Sequence, residues 1–157
     1  MEPNKIAIRR LAELELAVAA LYNLFANRYS EDRGFWLGLK DEEIQHARLL
    51  KQIEMDQNGS SGDMSIVSPL SSDVIDIMIA QIRTIMDDIH QHTPSRKEAF
   101  SIALQLEQSA GEFHYKTVAS AFNKLQDNVL LNRLVADDHD HAARIRNYLN
   151  QVLQDNL

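Results

Sequence analysis

The sequence predicts an all-α protein: a four-helix bundle with a long crossover that contains an additional helix. Apolar residues recur at spacings of three and four over most of the chain, which is the period of an amphipathic helix. Glycine (5 residues) and proline (3 residues) are scarce in a chain of 157 residues, so few positions interrupt long helices. Two helices, a long connection and two further helices follow one another, which is the order of a bundle with one crossover.

The composition limits the class of protein. A chain of this length suits one domain, and we expect residues 1–157 to form it. The net charge of −7 argues against nucleic acid as a partner, because binding to its backbone needs clustered Lys and Arg. Cysteine is absent, which excludes disulfides, thiolate zinc sites and iron–sulfur clusters.

The compartment is predicted from the same features. A chain without cysteine fits a reducing cytoplasm. No N-terminal segment resembles a signal peptide, and no apolar run approaches the roughly 20 residues that span a bilayer. We therefore expect a cytoplasmic protein with no membrane partner.

The first two helices are predicted over residues 6–29 and from a turn at residues 30–34 to about residue 55. Ser30 can cap the second helix, with Glu31 and Asp32 in its first turn, where the helix dipole favours negative charge. Because the turn is short, the two helices should lie side by side and antiparallel.

The crossover and the last two helices follow. Residues 57–72 are rich in Ser, Gly and Asp and are interpreted as a connector. Residues 74–90 are again periodic, so a helix lies within the crossover. The third main helix is predicted over residues 95–122, after Pro94, and the fourth from residue 129 nearly to the C-terminus. No segment suggests a β-strand.

Acids and imidazoles interrupt the apolar faces of all four main helices. A buried charge without a partner is very costly, so such residues are expected to be paired or to bind metal. The same faces contain no Arg or Lys to serve as partners. The residues concerned are Glu15 on the first helix, Glu43 and His46 on the second, Glu107 on the third, and Asp138 and His141 on the fourth.

These six residues are predicted to hold two metal ions. Residues at i and i+3 share a helix face, so Glu43 can bridge both metals while His46 binds one, and Asp138 can act likewise with His141. One Glu from each of two helices and a Glu-x-x-His from each of the other two is the ligand set of two-metal carboxylate bundles. Oxygen and imidazole donors favour iron, with manganese and zinc as alternatives.

The chain resembles the rubrerythrin and ferritin-like family over nearly its whole length. The resemblance rests on Glu15…Tyr22, on Glu43-x-x-His46-Ala47 and, after the crossover and Glu107, on Asp138-x-x-His141-Ala142. The resemblance implies a ferritin-like bundle with a left-handed crossover. It also implies a di-iron centre that, when reduced, reacts with peroxide or dioxygen, or that oxidises iron.

The sequence departs from the rubrerythrin pattern in three ways. It has no cysteines for a rubredoxin-like domain, so the electron donor must be a separate, external partner. The position one turn after Glu107, which is a second Glu in rubrerythrins, is Ala110. The acid of the fourth helix is Asp138 rather than Glu.

Some assignments stay open at this point. Tyr22 follows Glu15 by two helical turns, and we assign it a catalytic role as a hydrogen-bond donor or redox-active phenol, with a core tyrosine as the alternative. His114 follows Glu107 at the same spacing and is either a further ligand or a partner of a carboxylate. Asp137 competes with Asp138, because Asp137 and His141 are i and i+4.

The function predicted first is an oxidoreductase that reduces peroxide or dioxygen with electrons from the external donor. The alternatives are a protein that oxidises, stores or handles iron without turning over a substrate, and a metal-free helical interaction module. The helix at residues 74–90 is amphipathic and should cover the bundle or a second chain. Homodimers are the commonest oligomers, so we expect a homodimer.

Overall fold

The computed structural model describes the backbone of residues 5–57, 65–67, 71–122 and 129–155, and side chains within residues 8–52, 54–55, 71–109 and 140–155. Five helices occupy most of this part of the chain. They are α1 (Ile8–Arg28), α2 (Arg33–Gln57), α3 (Ser72–Gln91), α4 (Arg96–Phe122) and α5 (Val129–Asp155). The predicted helical class and helix order are confirmed, with most boundaries within three residues.

Two helix pairs organise the packing. The helices α1 and α2 pack along each other most extensively, and α4 and α5 form a second pair. Contacts between α2 and α5 join the two pairs, while α3 packs against α1. Side chains from both pairs therefore face a shared interior.

A short antiparallel ladder was not expected from the sequence. Strand β1 (Lys5–Ala7) pairs with β2 (Ser65–Val67), with Ile6 opposite Ile66. Residues 6 and 7 were predicted to begin the first helix, and residues 65–67 to be connector, so both expectations were wrong there. Three residues are too few to establish an alternating pattern, and the pairing depends on two segments about 60 residues apart.

Aromatic rings fill the interior beside α1, α2 and α4. Trp36 lies with its ring centroid 4.6 Å from that of Phe100, 4.9 Å from that of Phe25 and 5.7 Å from that of Tyr22. All four side chains are buried. Rings at these separations pack favourably beyond the area they bury. The cluster gives Tyr22 a fixed position on the inner face of α1.

The crossover helix α3 covers α1 with part of its apolar face. Five of its residues are buried: Ile75, Met78, Ile79, Ile82 and Ile89. In contrast, Ile77 is 55% exposed. The amphipathic face predicted for the crossover is therefore only partly covered within one chain.

The turn between α1 and α2 differs from its prediction. Ser30–Asp32 forms a 3₁₀ turn, and Ser30 is not the cap of α2, which begins at Arg33. Asp32 was predicted in the first turn of α2, but it lies in the 3₁₀ turn and is buried. The guanidinium of Arg96, at the start of α4, donates two hydrogen bonds of 2.6 Å to the Asp32 carboxylate. The Tyr148 hydroxyl, from α5, donates a third of 3.0 Å, so Asp32 ties the α1–α2 turn to the other helix pair.

Replacing Arg96 by Met should lower the free energy of unfolding by about 2 kcal/mol, because it leaves the buried Asp32 carboxylate without its charged donor. Urea denaturation in the presence of a chelator measures this loss. The matched control is Glu31→Gln, since Glu31 is exposed and also pairs with Arg96, at 2.9 Å. Its effect should stay below about 0.5 kcal/mol. Equal losses in the two variants would contradict the role given to Asp32.

Candidate metal centre

Five of the six predicted ligand residues are buried and gather into two overlapping clusters. Glu15, Glu43 and His46 form the first, and Glu43, Glu107 and His141 form the second. Within each cluster the nearest donor atoms lie within 4.8 Å of one another. These buried Glu/His clusters have the donors and the spacing to hold a metal ion.

Helical spacing explains why charged side chains reach the interior. Glu15 lies in α1 between Leu11 and Val18, which are buried on the same face. Glu43 and His46 follow Leu39 at spacings of four and three in α2, and all three are buried. A residue on the apolar face of a packed helix is carried into the core whatever its own polarity. The inward placement expected for these residues is confirmed.

Glu43 belongs to both clusters. Its Oε1 lies 2.8 Å from Nδ1 of His141, and its Oε2 lies 3.3 Å from Nδ1 of His46. The two imidazole rings are nearly parallel, with centroids 5.4 Å apart and an interplanar angle of 24°. One carboxylate therefore presents each of its oxygens to a different imidazole.

Glu107 completes the second cluster from α4. Its Oε1 lies 3.7 Å from Nδ1 of His141 and accepts a hydrogen bond from the Tyr22 hydroxyl. Tyr22 is fully buried, in α1. The structure thus places Tyr22 as a donor to a predicted ligand, in addition to its place in the aromatic cluster.

The protonation of the cluster follows from burial and close contacts. Burial alone would raise the pKa of Glu43, but its contacts with Glu15, His141 and His46 outweigh burial and hold that pKa well below its usual range. Burial raises the pKa of Glu107 more than its contacts with His141 and Tyr22 lower it. Burial also raises the pKa of the Tyr22 phenol well above its usual value, and the nearby Glu107 and Glu43 carboxylates raise it further.

His141 carries the compensating charge in the absence of a cation. Burial lowers the pKa of its imidazole, yet the adjoining carboxylates of Glu107 and Glu43 raise it to about 12. Near neutral pH the ring is therefore protonated at both nitrogens. A metal ion that binds Nδ1 has to displace a proton.

The donors fit a metal ion in type and spacing. The Nδ1 of His141 is buried close to two carboxylates, but no described residue forms a hydrogen bond of ordinary angle with it. Two ligands that bind one ion at about 2.1 Å and at right angles lie about 3 Å apart. The 2.8 Å between His141 Nδ1 and Glu43 Oε1 matches such a pair. Imidazole and carboxylate donors together suit first-row transition metals.

Several predicted residues lie outside this geometry. The side chains of Asp138, Asp137, His114 and Ala110 are outside the described residues, although their positions fall within α4 and α5. The choice between Asp138 and Asp137 and the role of His114 therefore stay predictions.

The sequence prediction missed Glu42. Its Oε2 lies 2.7 Å from Nε2 of the buried His141 and accepts a 2.6 Å hydrogen bond from Nη1 of Arg144. Burial raises the pKa of Glu42, but the hydrogen bonds from Arg144 and His141 lower it below its usual value. The sequence shows only that the pair His141-x-x-Arg144 puts a cation on the same helix face as the imidazole, which does not identify Glu42 as their partner.

No family model, curated protein or solved structure matches the chain. Within the part of the chain that the structure describes, no helix is both long and apolar enough to cross a membrane.

Metal binding near pH 7 should release at least one proton per chain, because the ion displaces the Nδ1 proton of His141. For the cluster that contains His141, the apparent affinity should rise with pH by up to tenfold per unit. Titration calorimetry with Mn²⁺ in phosphate and in Tris counts the released protons through the difference in buffer ionisation heat.

Two variants test this proton count: His141→Asn, and His90→Asn as its matched control. His90 is exposed, so its variant should release as many protons as the natural chain, while His141→Asn should release fewer. A binding heat that is the same in both buffers would contradict the protonation assigned to His141.

Proposed function

We propose that the protein is a di-iron carboxylate oxidoreductase of the ferritin-like, rubrerythrin-like class, in which four of the five helices form the bundle around two metal ions. The proposed ligands are Glu15, Glu43, His46, Glu107, Asp138 and His141. The packing of α1 on α2, of α4 on α5 and of α2 on α5 supports the bundle. The substrate is peroxide or dioxygen, and electrons come from an external donor.

The observation that carries the proposal is the position of Glu43. Each of its oxygens faces a different imidazole, and both three-donor clusters include it. A carboxylate that bound a single ion would not need a second group of donor atoms beside its other oxygen. This arrangement supports two ions bridged by one carboxylate.

The choice of iron follows from the donors. Glu43, Glu107 and His141 offer hard oxygens and a borderline nitrogen, and the chain has no thiolate to offer. Such sets suit iron and manganese, and zinc binds them as well. Of these, iron changes its oxidation state readily in reactions with peroxide, so iron fits the proposed reaction best.

The chain's own residues prepare the site for this reaction. Two reduced iron ions held by these residues would supply the two electrons needed to cleave the O–O bond of a peroxide. Tyr22 holds the Glu107 carboxylate through its hydroxyl, and its raised pKa keeps that hydroxyl protonated. The buried apolar residues around the clusters exclude water, which strengthens each charge interaction inside.

A metal-free interaction module is disfavoured by a contrast within the same molecule. Asp32 is a buried acid with a structural role, and Arg96 donates two hydrogen bonds to its carboxylate. Among the described residues, neither Glu43 nor Glu107 has an ion pair with Lys or Arg, and their partners are imidazoles, Glu15 and Tyr22. The central carboxylates are therefore arranged for a cation from outside.

The second candidate function is iron oxidation and storage, for which the same ligands serve. The acids Glu42 and Asp140 favour it, because both are solvent-accessible and lie next to the buried His141. They would attract ferrous ions to the site.

The homodimer expected from the sequence also stays a proposal, supported by the exposed Ile77 of α3.

Replacing Glu43 by Gln should reduce metal binding from two ions per chain to less than one, since both clusters lose the shared carboxylate. Elemental analysis after equilibrium dialysis against Fe²⁺ under argon gives the stoichiometry. Bound metal at a thousandfold excess over its dissociation constant stabilises the natural chain by about 4 kcal/mol, and this gain should largely disappear in the variant.

The matched control is Glu54→Gln, an acid of the same helix outside both clusters. It should keep two ions and the stabilisation. If Glu43→Gln bound two ions as tightly as the natural chain, the bridging role and the proposed centre would both be wrong.

Replacing Tyr22 by Phe should slow oxidation of the ferrous protein by about tenfold, which corresponds to about 1.4 kcal/mol, because Glu107 loses its hydrogen bond. Stopped-flow absorbance after mixing with peroxide, in the presence of a chemical reductant, measures both the first oxidation and continued turnover. The metal content of this variant should remain two ions per chain.

Tyr29→Phe is the control, because Tyr29 lies in the same region and its hydroxyl donates to the Pro94 carbonyl, away from both clusters. It should oxidise at the natural rate. Continued peroxide consumption supports the oxidoreductase. A single oxidation followed by retention of more than two ferric ions per chain would instead establish the storage function.

A further inference from the structure

Both ring nitrogens of His141 face carboxylates, and only one side belongs to the proposed ligand set. Nδ1 faces Glu43 and Glu107 in the interior, at 2.8 Å and 3.7 Å. On the opposite side, Nε2 lies 2.7 Å from Oε2 of Glu42. The imidazole is thus held between the candidate centre and an acid that lies outside it.

The two neighbouring acids of α2 point in different directions. Consecutive residues of an α-helix are about 100° apart around its axis. The side chain of Glu43 is 3% exposed and faces the interior, whereas that of Glu42 is 40% exposed and reaches across to α5. Glu42 is therefore placed to bind the outer edge of His141 without entering the metal clusters.

The hydrogen-bond pattern decides which nitrogen of His141 carries the hydrogen. Arg144 donates to the same oxygen of Glu42 that faces Nε2, which favours the ionised carboxylate. An ionised carboxylate can only accept hydrogen bonds, so Nε2 must be the donor. In the neutral ring that binds a metal, the free lone pair then lies on Nδ1, which is the nitrogen that faces Glu43 and Glu107.

We propose that Glu42 is a positioning residue, which fixes the tautomer and orientation of His141 so that Nδ1 points at the metal; this rests on the proposed function. Outer hydrogen bonds of this kind orient histidine ligands and increase their basicity. Without Glu42, the buried Nε2–H loses its acceptor, and the ring is free to rotate Nδ1 away from the two carboxylates.

A purely structural role for Glu42 makes a different prediction. The Glu42–Arg144 pair links α2 to α5, and its side chains are 40% and 34% exposed. If Glu42 acted only through this link, removing Arg144 would disturb the metal site as much as removing Glu42. If Glu42 acts on His141 directly, the two changes separate.

The test uses four variants of the full chain, titrated with Mn²⁺ by calorimetry. Glu42→Ala should weaken the site that contains His141 by 10- to 100-fold, and Glu42→Gln should weaken it less, because the amide oxygen still accepts the Nε2 hydrogen. Asp41→Asn removes the neighbouring charge, and Asp41 is 70% exposed with Lys40 as its partner. Asp41→Asn and Arg144→Met should each change the affinity by less than threefold.

A second readout reports the hydrogen bond itself. In the Co²⁺-loaded natural chain, proton NMR should show a slowly exchanging, paramagnetically shifted imidazole N–H for His141. The number of such signals should fall by one in Glu42→Ala and be unchanged in Glu42→Gln. If Glu42→Ala does not fold, Glu42→Gln still tests the proposal. Its metal affinity should be lower than that of the natural chain, and its imidazole N–H should exchange faster.

Several results would overturn the inference. Unchanged affinity with an unchanged N–H signal in Glu42→Ala would show that Glu42 does not position His141. The same conclusion would follow if Glu42→Gln had both the metal affinity and the N–H exchange rate of the natural chain. An equal loss of affinity in Arg144→Met would assign the effect to helix packing. A natural chain that binds no metal would overturn the proposed function and the inference together, whereas two sites in the natural chain with unaffected variants would overturn the inference alone.

Discussion

Three carboxylates buried in one helical interior need positive charge nearby, and the arrangement of the site follows from that need. Glu15, Glu43 and Glu107 come from three different helices, and each is almost completely removed from solvent. Charges in such an environment interact far more strongly than at the surface, and a buried charge without compensation is very costly. In the metal-free chain the imidazolium of His141 supplies one positive charge, and the adjoining Glu107 and Glu43 carboxylates raise its pKa. Two divalent cations would satisfy the same requirement more completely.

The molecule uses a different solution where an acid is buried only for structure. Asp32 has a guanidinium with two short hydrogen bonds and a tyrosine hydroxyl, so its charge is compensated within the chain. At the centre, by contrast, the partners of Glu43 are Glu15 and two imidazoles, and an imidazole can exchange a proton for a metal ion. Asp32 thus belongs to the part of the fold that holds the helices together, whereas Glu43 belongs to the part that is suited to bind a ligand.

Much of the fold was predictable because its helices are long and periodic. The inward placement of Glu43 and His46 followed from their spacing to Leu39, which needs no knowledge of tertiary structure. Features that depend on contacts between distant segments were not predictable in the same way. The β1–β2 ladder joins residues about 60 positions apart, Asp32 is paired with Arg96 of another helix, 64 positions away, and Glu42 contacts His141 on another helix. Local periodicity says which face of a helix is buried, but not which residue of another helix lies opposite.

The most direct test of the central role of Glu43 is an anomalous-scattering map from crystals of the natural chain loaded with Fe²⁺ without oxygen, with data collected at the iron edge. The account predicts two peaks per chain, on either side of the Glu43 carboxylate and each about 2.0–2.3 Å from one of its oxygens. One peak should be next to Glu15 and His46, and the other next to Glu107 and His141. A single peak, or an interior with no peak beside Glu43, would contradict it.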